Sequence, residues 1–213
     1  MMKKSNKDKV YEAYDELIDW FDAHRNKELH MEQFYLHQIK KYFPHGGNVL
    51  DVGCGTGEPI AKFFIGAGYD LTGVDASKKM IERCKQNFPN AQWVLADMRV
   101  MKFTIQFEIV IAWHSFFHLP QADQRGVLNL FSSLVKPNGL LLFTSGPEAG
   151  EVWSENGGYD LYHASLDAKE YETILHQSNF QVLLHNVRDP NCRGATVWLV
   201  QKKEYLDKKT TSN

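Results

Sequence analysis

A chain of 213 residues, 43% hydrophobic and 23% charged, has the size and composition of one domain, or one domain with a small appendage, built on a real core. Its formal net charge of −2 excludes broad electrostatic capture of nucleic acid. No run approaches the about 20 apolar residues that span a bilayer, and the basic start MMKKSNKDK is not followed by the apolar stretch of a secretory signal, so a cytoplasmic protein without membrane or nucleic-acid partners is expected.

The first 43 residues read as helical, because Val10, Tyr14, Leu17, Ile18 and Phe21, and then Phe34, Leu36, Ile39 and Phe43, recur at three- and four-residue spacing. Pro44, Gly46 and Gly47 break that pattern. NVLDVG is then a short buried strand, and EPIAKFFIGAG turns helical up to Gly66 and Gly68. YDLTGVDAS is a second strand, with Ser77 as cap of the helix KKMIERCKQNF. AQWVLADM and FEIVIAWHS are the third and fourth strands. A helix over roughly Gln121–Val135 ends at KPNG, and LLLFTSG is the fifth strand. Strands alternating with helices in this way give right-handed crossovers and a mainly parallel sheet. The segment from Gly146 to about residue 165 is rich in glycine and polar residues and reads as a long loop insertion at the mouth of a site. A helix around Asp167–Gln177 leads into FQVLLHNVRD and GATVWLVQKK, which a short connection should join as an antiparallel hairpin; the polar tail EYLDKKTTSN should fray.

Three cysteines, Cys54, Cys84 and Cys192, fit neither a disulfide framework nor a zinc knuckle, and the nine histidines contain no HExxH motif, so no metal site is expected. The stretch VLDVGCGTGEP carries the chemistry. Strand, glycine-rich turn and helix place a ligand at a helix N-terminus, and Gly53 and Gly55 allow close backbone approach. A dinucleotide fingerprint wants its third glycine where Glu58 stands, and Glu58 would repel a pyrophosphate; no Gly-Lys-Ser/Thr follows, so a Walker loop is excluded too. Asp51 adds a second acid. The turn thus suits a ligand that is not anionic where the helix begins, or one that carries positive charge. Asp75 ends the second strand, where a ribose diol would be held, and Asp97 ends the third, where an exocyclic amine could be met.

VLDVGCGTG, GVDAS, ADM and LVKPNGLLLFTSG together resemble the class I methyltransferases that use S-adenosylmethionine, closely over residues 45–145 and in layout over 167–203. The resemblance implies an α/β three-layer sandwich around a seven-stranded, mainly parallel sheet of order 3-2-1-4-5-7-6, the last strand antiparallel. It divides the chain into an N-terminal helical lid (1–43), a methyltransferase domain (44–205) with the insertion at about 146–165, and the tail (206–213). By position it implies that Gly53, Cys54 and Gly55 meet the methionine part of the cofactor and that Asp51 lies near its ammonium. Asp75 and Ala76 would meet the ribose, Asp97 and Met98 the adenine, and the carbonyl of Ala112 or Trp113 would be a further acceptor for the ammonium. Tyr14 or Arg25 of the lid would reach the cofactor carboxylate.

Methyl transfer needs a base only where the attacking atom must lose a proton. His114, after the fourth strand, is the candidate for a general base or acceptor-orienting group, an ordinary imidazole titrating near neutrality; a structural, backbone-bonded histidine is the alternative. His118 reads as a packing residue or cap. Trp113, Phe116 and Phe117 could wall the acceptor, Trp153, Tyr159, Tyr162 and His163 could touch it, and Arg188 or Arg193, bunched with His185 and Asp189, could grip an acidic one. The expected activity is transfer of a methyl group to a small molecule, by a monomer or homodimer, leaving S-adenosylhomocysteine. The alternatives are a non-catalytic protein that binds this cofactor or its product, and an NAD-dependent oxidoreductase.

Overall fold

The structure, a computed structural model, describes residues 3–204. In chain order the elements are β1 (Lys3–Lys4), α1 (Val10–His24), α2 (Gln33–Tyr42), β2 (Asn48–Val52), α3 (Ile60–Gly66), β3 (Asp70–Asp75), α4 (Lys78–Asn87), β4 (Gln92–Leu95) and β5 (Phe107–Ala112). They continue with α5 (Gln121–Leu134), β6 (Val135–Ser145), β7 (Gly150–Asn156), β8 (Tyr159–Ser165), α6 (Ala168–Gln177), β9 (Phe180–Asp189) and β10 (Ala195–Lys202). The main sheet runs β4-β3-β2-β5-β6-β10-β9. Its first five strands are parallel, and β10 lies antiparallel to both β6 and β9. This is the expected order.

Alternation along the strands builds both faces of the sheet. Val49, Ile109, Ile111, Leu140 and Leu142 meet Tyr35, Leu36 and Ile39 of α2 and Phe64 of α3 on one side. Leu50, Val110, Leu141, Phe143 and Trp198 meet Val127, Leu128 and Phe131 of α5 and Tyr171 of α6 on the other. Each such fully buried aliphatic or aromatic side chain contributes roughly 1.5–3 kcal/mol. Trp198 also satisfies its indole N–H, which donates to Ser145 Oγ at 3.0 Å.

Two elements depart from the expectation. The helix before the fifth strand stops at Leu134, and Val135 already pairs with Phe107. Lys136–Gly139 bulges out of the strand before Leu140 rejoins at Ile109, with Asn138 in the left-handed region at φ 64° and Lys136 paired with Glu108. KPNG is therefore a bulge inside β6 and not the end of a helix.

The segment 146–165 is no loop. β7 and β8 pair antiparallel from Gly150↔Ser165 to Asn156↔Tyr159, and β1 joins β8 in parallel, giving a second sheet of three strands. Gly157 and Gly158 close the hairpin at φ 57° and 86°, the paired positive φ of a two-residue turn that matches strand twist. The glycines that suggested a loop are the turn. Leu161, Tyr162 and Ala164 of β8 share one apolar cluster with Val10, Ala13 and Leu17 of α1. The polar tail expected at 206–213, and the last residue of the expected domain, lie outside the described residues.

Candidate functional site

The carboxyl ends of β2 to β6 open onto a cavity of about 910 Å³, roofed by α1 and the second sheet. Of the residues expected at the cofactor, Asp51, Gly53, Cys54, Gly55, Asp75, Ala76, Asp97, Met98, Trp113 and Tyr14 line it, with His114 beside them, whereas Ala112, the alternative to Trp113, does not. The main-chain N–H groups of Gly53 and Cys54 donate to the Val74 carbonyl at 2.7 and 3.0 Å, bending the turn back onto β3. A Cβ on Gly53 would stand 2.2 Å from Ser115 Cβ, at φ +73°, so this glycine is required by the fold itself. Ser115 in turn donates to the Val52 carbonyl at 2.6 Å.

Asp75 joins two loops. Its carboxylate accepts from Gly55 N–H at 3.0 Å and from Ser77 N–H at 2.8 Å, while burial pushes it up to about 6 against those hydrogen bonds. Asp51 is 2% exposed and takes no hydrogen bond from any described residue. Burial pushes it up to about 7, with Asp75 adding and Arg25 opposing. Two desolvated acids on one cavity wall call for a cation and for hydroxyl donors. Glu58 is answered within the protein by Lys27 at 3.4 Å, and Arg25 is bound to Glu32 at 2.8 Å.

Asp97 is occupied in a way the sequence reading missed. Arg99 donates from Nε to both of its oxygens at 3.0 and 3.1 Å, and reaches Asp123 at 3.0 Å and the Asp8 carbonyl at 2.7 Å. Burial alone would raise Asp97, but the Arg99 hydrogen bonds hold it below the usual carboxylate range. The signal was present as a basic residue two after the acid, which aims back at it.

His114 sits at φ 51°, a left-handed backbone uncommon outside glycine, and its N–H donates to Thr144 Oγ1 at 2.9 Å. Its Nε2 is buried and meets no partner among the described residues. Burial, helped by Arg25, His163 and Arg193, lowers the imidazole to about 3, so it is neutral near pH 7 and does not titrate there. His118 is a fixed strut: Nδ1 contacts the Tyr162 carbonyl at 2.8 Å and Nε2 the Tyr14 hydroxyl at 2.9 Å. His114 and His118 stand four residues apart, but a 3-10 turn separates them. Among the described residues no group of three His, Cys, Asp or Glu side chains is placed to hold a metal.

The remaining candidates divide. Phe117, His163 and Arg193 line the cavity, whereas Phe116 belongs to the core beneath. Trp153, Tyr159 and Tyr162 pack against α1. His185 stacks on Trp198 at 3.5 Å, Arg188 reaches Glu148 at 3.5 Å, and Asp189 accepts from the Tyr35 hydroxyl at 2.6 Å. Helix α1 is tied down through Asp15, which accepts from Ser77 Oγ at 2.7 Å and Lys79 N–H at 3.0 Å.

A seven-stranded sheet with one antiparallel strand, a glycine turn after the first strand of its series and acids at the ends of the next two are the arrangement of the class I S-adenosylmethionine-dependent methyltransferases, and the chain is similar to that family. Residues 49–139 match the family described as a methyltransferase domain. The chain is 34% identical over 113 residues to the putative methyltransferase YqeM of Bacillus subtilis, covering 49% of this chain and 44% of that one. It is 34% identical over 140 residues to the glycine/sarcosine N-methyltransferase of Aphanothece halophytica, covering 62% and 50%. The chain thus spans about half the length of these curated relatives. Among solved structures it is similar to the 1,6-didemethyltoxoflavin-N1-methyltransferase of Burkholderia thailandensis, with bound 1,6-didemethyltoxoflavin and S-adenosylhomocysteine, at TM-score 0.70 and 14% identity over 92% of this chain and 88% of that one. At that identity the likeness shows the fold.

Proposed function

We propose that the chain transfers a methyl group from S-adenosylmethionine to a small-molecule acceptor. The observation that carries this reading is the pair of acids, Asp51 buried and Asp75 partly buried, facing one cavity at the ends of adjacent strands. Asp51, without a partner of its own, suits an ammonium. Asp75 keeps lone pairs for two ribose hydroxyls after accepting its backbone bonds. Asp97, Met98 and Ala76 would border the nucleoside. The bound group supplies a methyl already activated on a sulfonium.

The chain's own residues bind, align and exclude water. The roof of α1 and the second sheet is held by Asp15 and by the Tyr14–His118 contact. His114, neutral and unpaired, accepts a hydrogen bond from the nucleophilic atom and orients it. Its low proton affinity suits positioning more than proton removal.

Calorimetric titration with S-adenosylhomocysteine, S-adenosylmethionine and NADH tests the assignment. Binding of the first two and not the third is expected, with S-adenosylhomocysteine formation on a small-molecule panel. Asp75→Ala should weaken S-adenosylhomocysteine binding by about 1–3 kcal/mol; undiminished affinity sinks the ribose role. Tight binding with no turnover on any acceptor would favour a cofactor-binding protein instead, and NADH binding an oxidoreductase.

A further inference from the structure

At the glycine turn stand Asp51 and Asp75. Arg25, His163 and Arg193 act on the His114 imidazole, and of these Arg25 acts on Asp51 as well. Five further acids line the cavity: Glu58 pairs with Lys27 at 3.4 Å, Asp97 with Arg99, Glu148 with Arg188 at 3.5 Å and Glu151 with Lys7 at 2.7 Å, while Asp8 makes no ion pair with any described residue. Arg25 is likewise bound to Glu32. Arg193 lines the cavity and makes no hydrogen bond or ion pair with any described residue.

Arg193 is not on a fraying hairpin end. The turn that carries it hangs from Asp189, which is buried and takes hydrogen bonds from the Tyr35 hydroxyl at 2.6 Å and from Asn191 N–H at 2.9 Å. The Asp189 carbonyl accepts from Gly194 N–H at 2.9 Å. Cys192 is fully buried, its thiol donating to the Met31 carbonyl at 3.1 Å, and Arg193 takes the left-handed backbone at φ 54°. An ordered turn places Arg193, exposed and without an ion-pair partner among the described residues, in the lining of the cavity. Between it and the floor the wall is aromatic: His114 and Phe117 rings stand 5.7 Å apart, and Phe117 and His163 5.0 Å.

We propose that the acceptor is a small ring-bearing carboxylate, its anionic group held by Arg193 and its nucleophilic atom turned toward the unpartnered Nε2 of His114. This rests on the methyl-transfer reading above. A guanidinium fork matches a carboxylate bidentately, flat rings pack against the aromatic wall, and a neutral imidazole accepts the proton-bearing nucleophile without competing for the anion. Methylation would then form one bond to the acceptor's oxygen or nitrogen and break the methyl–sulfur bond, the electron pair staying on sulfur and the acceptor's proton passing to solvent.

The test uses the whole chain saturated with S-adenosylhomocysteine and titrated with sodium benzoate and with benzamide, followed by saturation-transfer NMR. Benzoate is expected to bind at millimolar concentration and benzamide at least about tenfold more weakly. Arg193→Gln should erase that preference while S-adenosylhomocysteine affinity stays within about twofold. Arg188→Gln, a control on the same hairpin, should keep the preference. Equal binding of the two probes, no benzoate binding up to about 50 mM, or a preference that survives Arg193→Gln overturns the proposal. Failure of S-adenosylhomocysteine to bind in the first titration overturns the cofactor reading beneath it, and is seen before benzoate is added.

Discussion

Asp51 couples the architecture of the site to pH. Its carboxyl belongs at 3.8 and is pushed up to about 7 by burial, so the folded chain binds this proton more tightly than the unfolded one. Stability from this group therefore falls as pH rises between those values. Between pH 5 and pH 8 the loss is about 2–3 kcal/mol. His114 and His118, both lowered to about 3 by burial, act in the opposite sense: they cost stability as pH falls below the ordinary imidazole value. Wild type alone mixes the two effects. Asp51→Asn removes only the carboxyl, so the difference between wild type and variant isolates it.

That difference should move toward the variant by about 2–3 kcal/mol from pH 5 to pH 8, equivalent to about 5–10 °C in Tm for a domain of this size. Thermal unfolding without cofactor, at matched ionic strength, reads it. The same carboxyl must ionise when an ammonium settles beside it, so S-adenosylhomocysteine binding at pH 6 should release protons into the buffer in wild type and fewer in Asp51→Asn. A stability difference that stays flat with pH refutes the picture of a desolvated, unpartnered acid.

Gly53→Ala should lower stability by more than about 2 kcal/mol, because the added methyl meets Ser115 at 2.2 Å besides straining φ. Gly55→Ala, whose Cβ meets Phe21 at an ordinary 3.5 Å, should cost only about 1–2 kcal/mol; equal Tm losses in the two would discount the Ser115 contact. His114→Ala should leave S-adenosylhomocysteine affinity within about twofold and lower turnover roughly 10²-fold, and full activity in an initial-rate assay removes His114 from the mechanism. Arg99→Leu should strip Asp97 of its partner and lower stability by about 1–3 kcal/mol in urea unfolding, with no change expected if the Arg99 contacts are only surface decoration.

The legible part of the fold was its periodic part. The alternation of strands and helices from Asn48 to Ser145 reads directly, because parallel strands are buried on both faces and helices between them carry one apolar stripe. The closing hairpin of β9 and β10 was equally plain. KPNG misled because glycine and proline punctuate bulges as well as helix ends. The second sheet was missed because GEVWSENGGYDLYHAS is half polar, and composition hid the two-residue turn signal at Gly157–Gly158. At the site, motif spacing picked out acids and a glycine turn that the fold brings to one cavity. It did not find Arg99 on Asp97, or the burial that takes His114 out of the physiological titration range.

By itself the sequence determined the class of fold and marked the residues proposed for the donor end, since strand ends, glycines and acids at set intervals are local features that a linear pattern carries. The reasons behind those residues were tertiary. Gly53 is a glycine because Ser115, 62 positions on, occupies the space of its Cβ, and Asp75 holds the turn that precedes it by 20 residues. The acceptor end proposed above rests on tertiary structure alone. Arg193 and His114 are 79 positions apart and acquire meaning together only when β10, lying beside β6, carries the last hairpin back to the mouth of the cavity. Burial and charge balance belong to neighbours in space, and no interval along the chain encodes them.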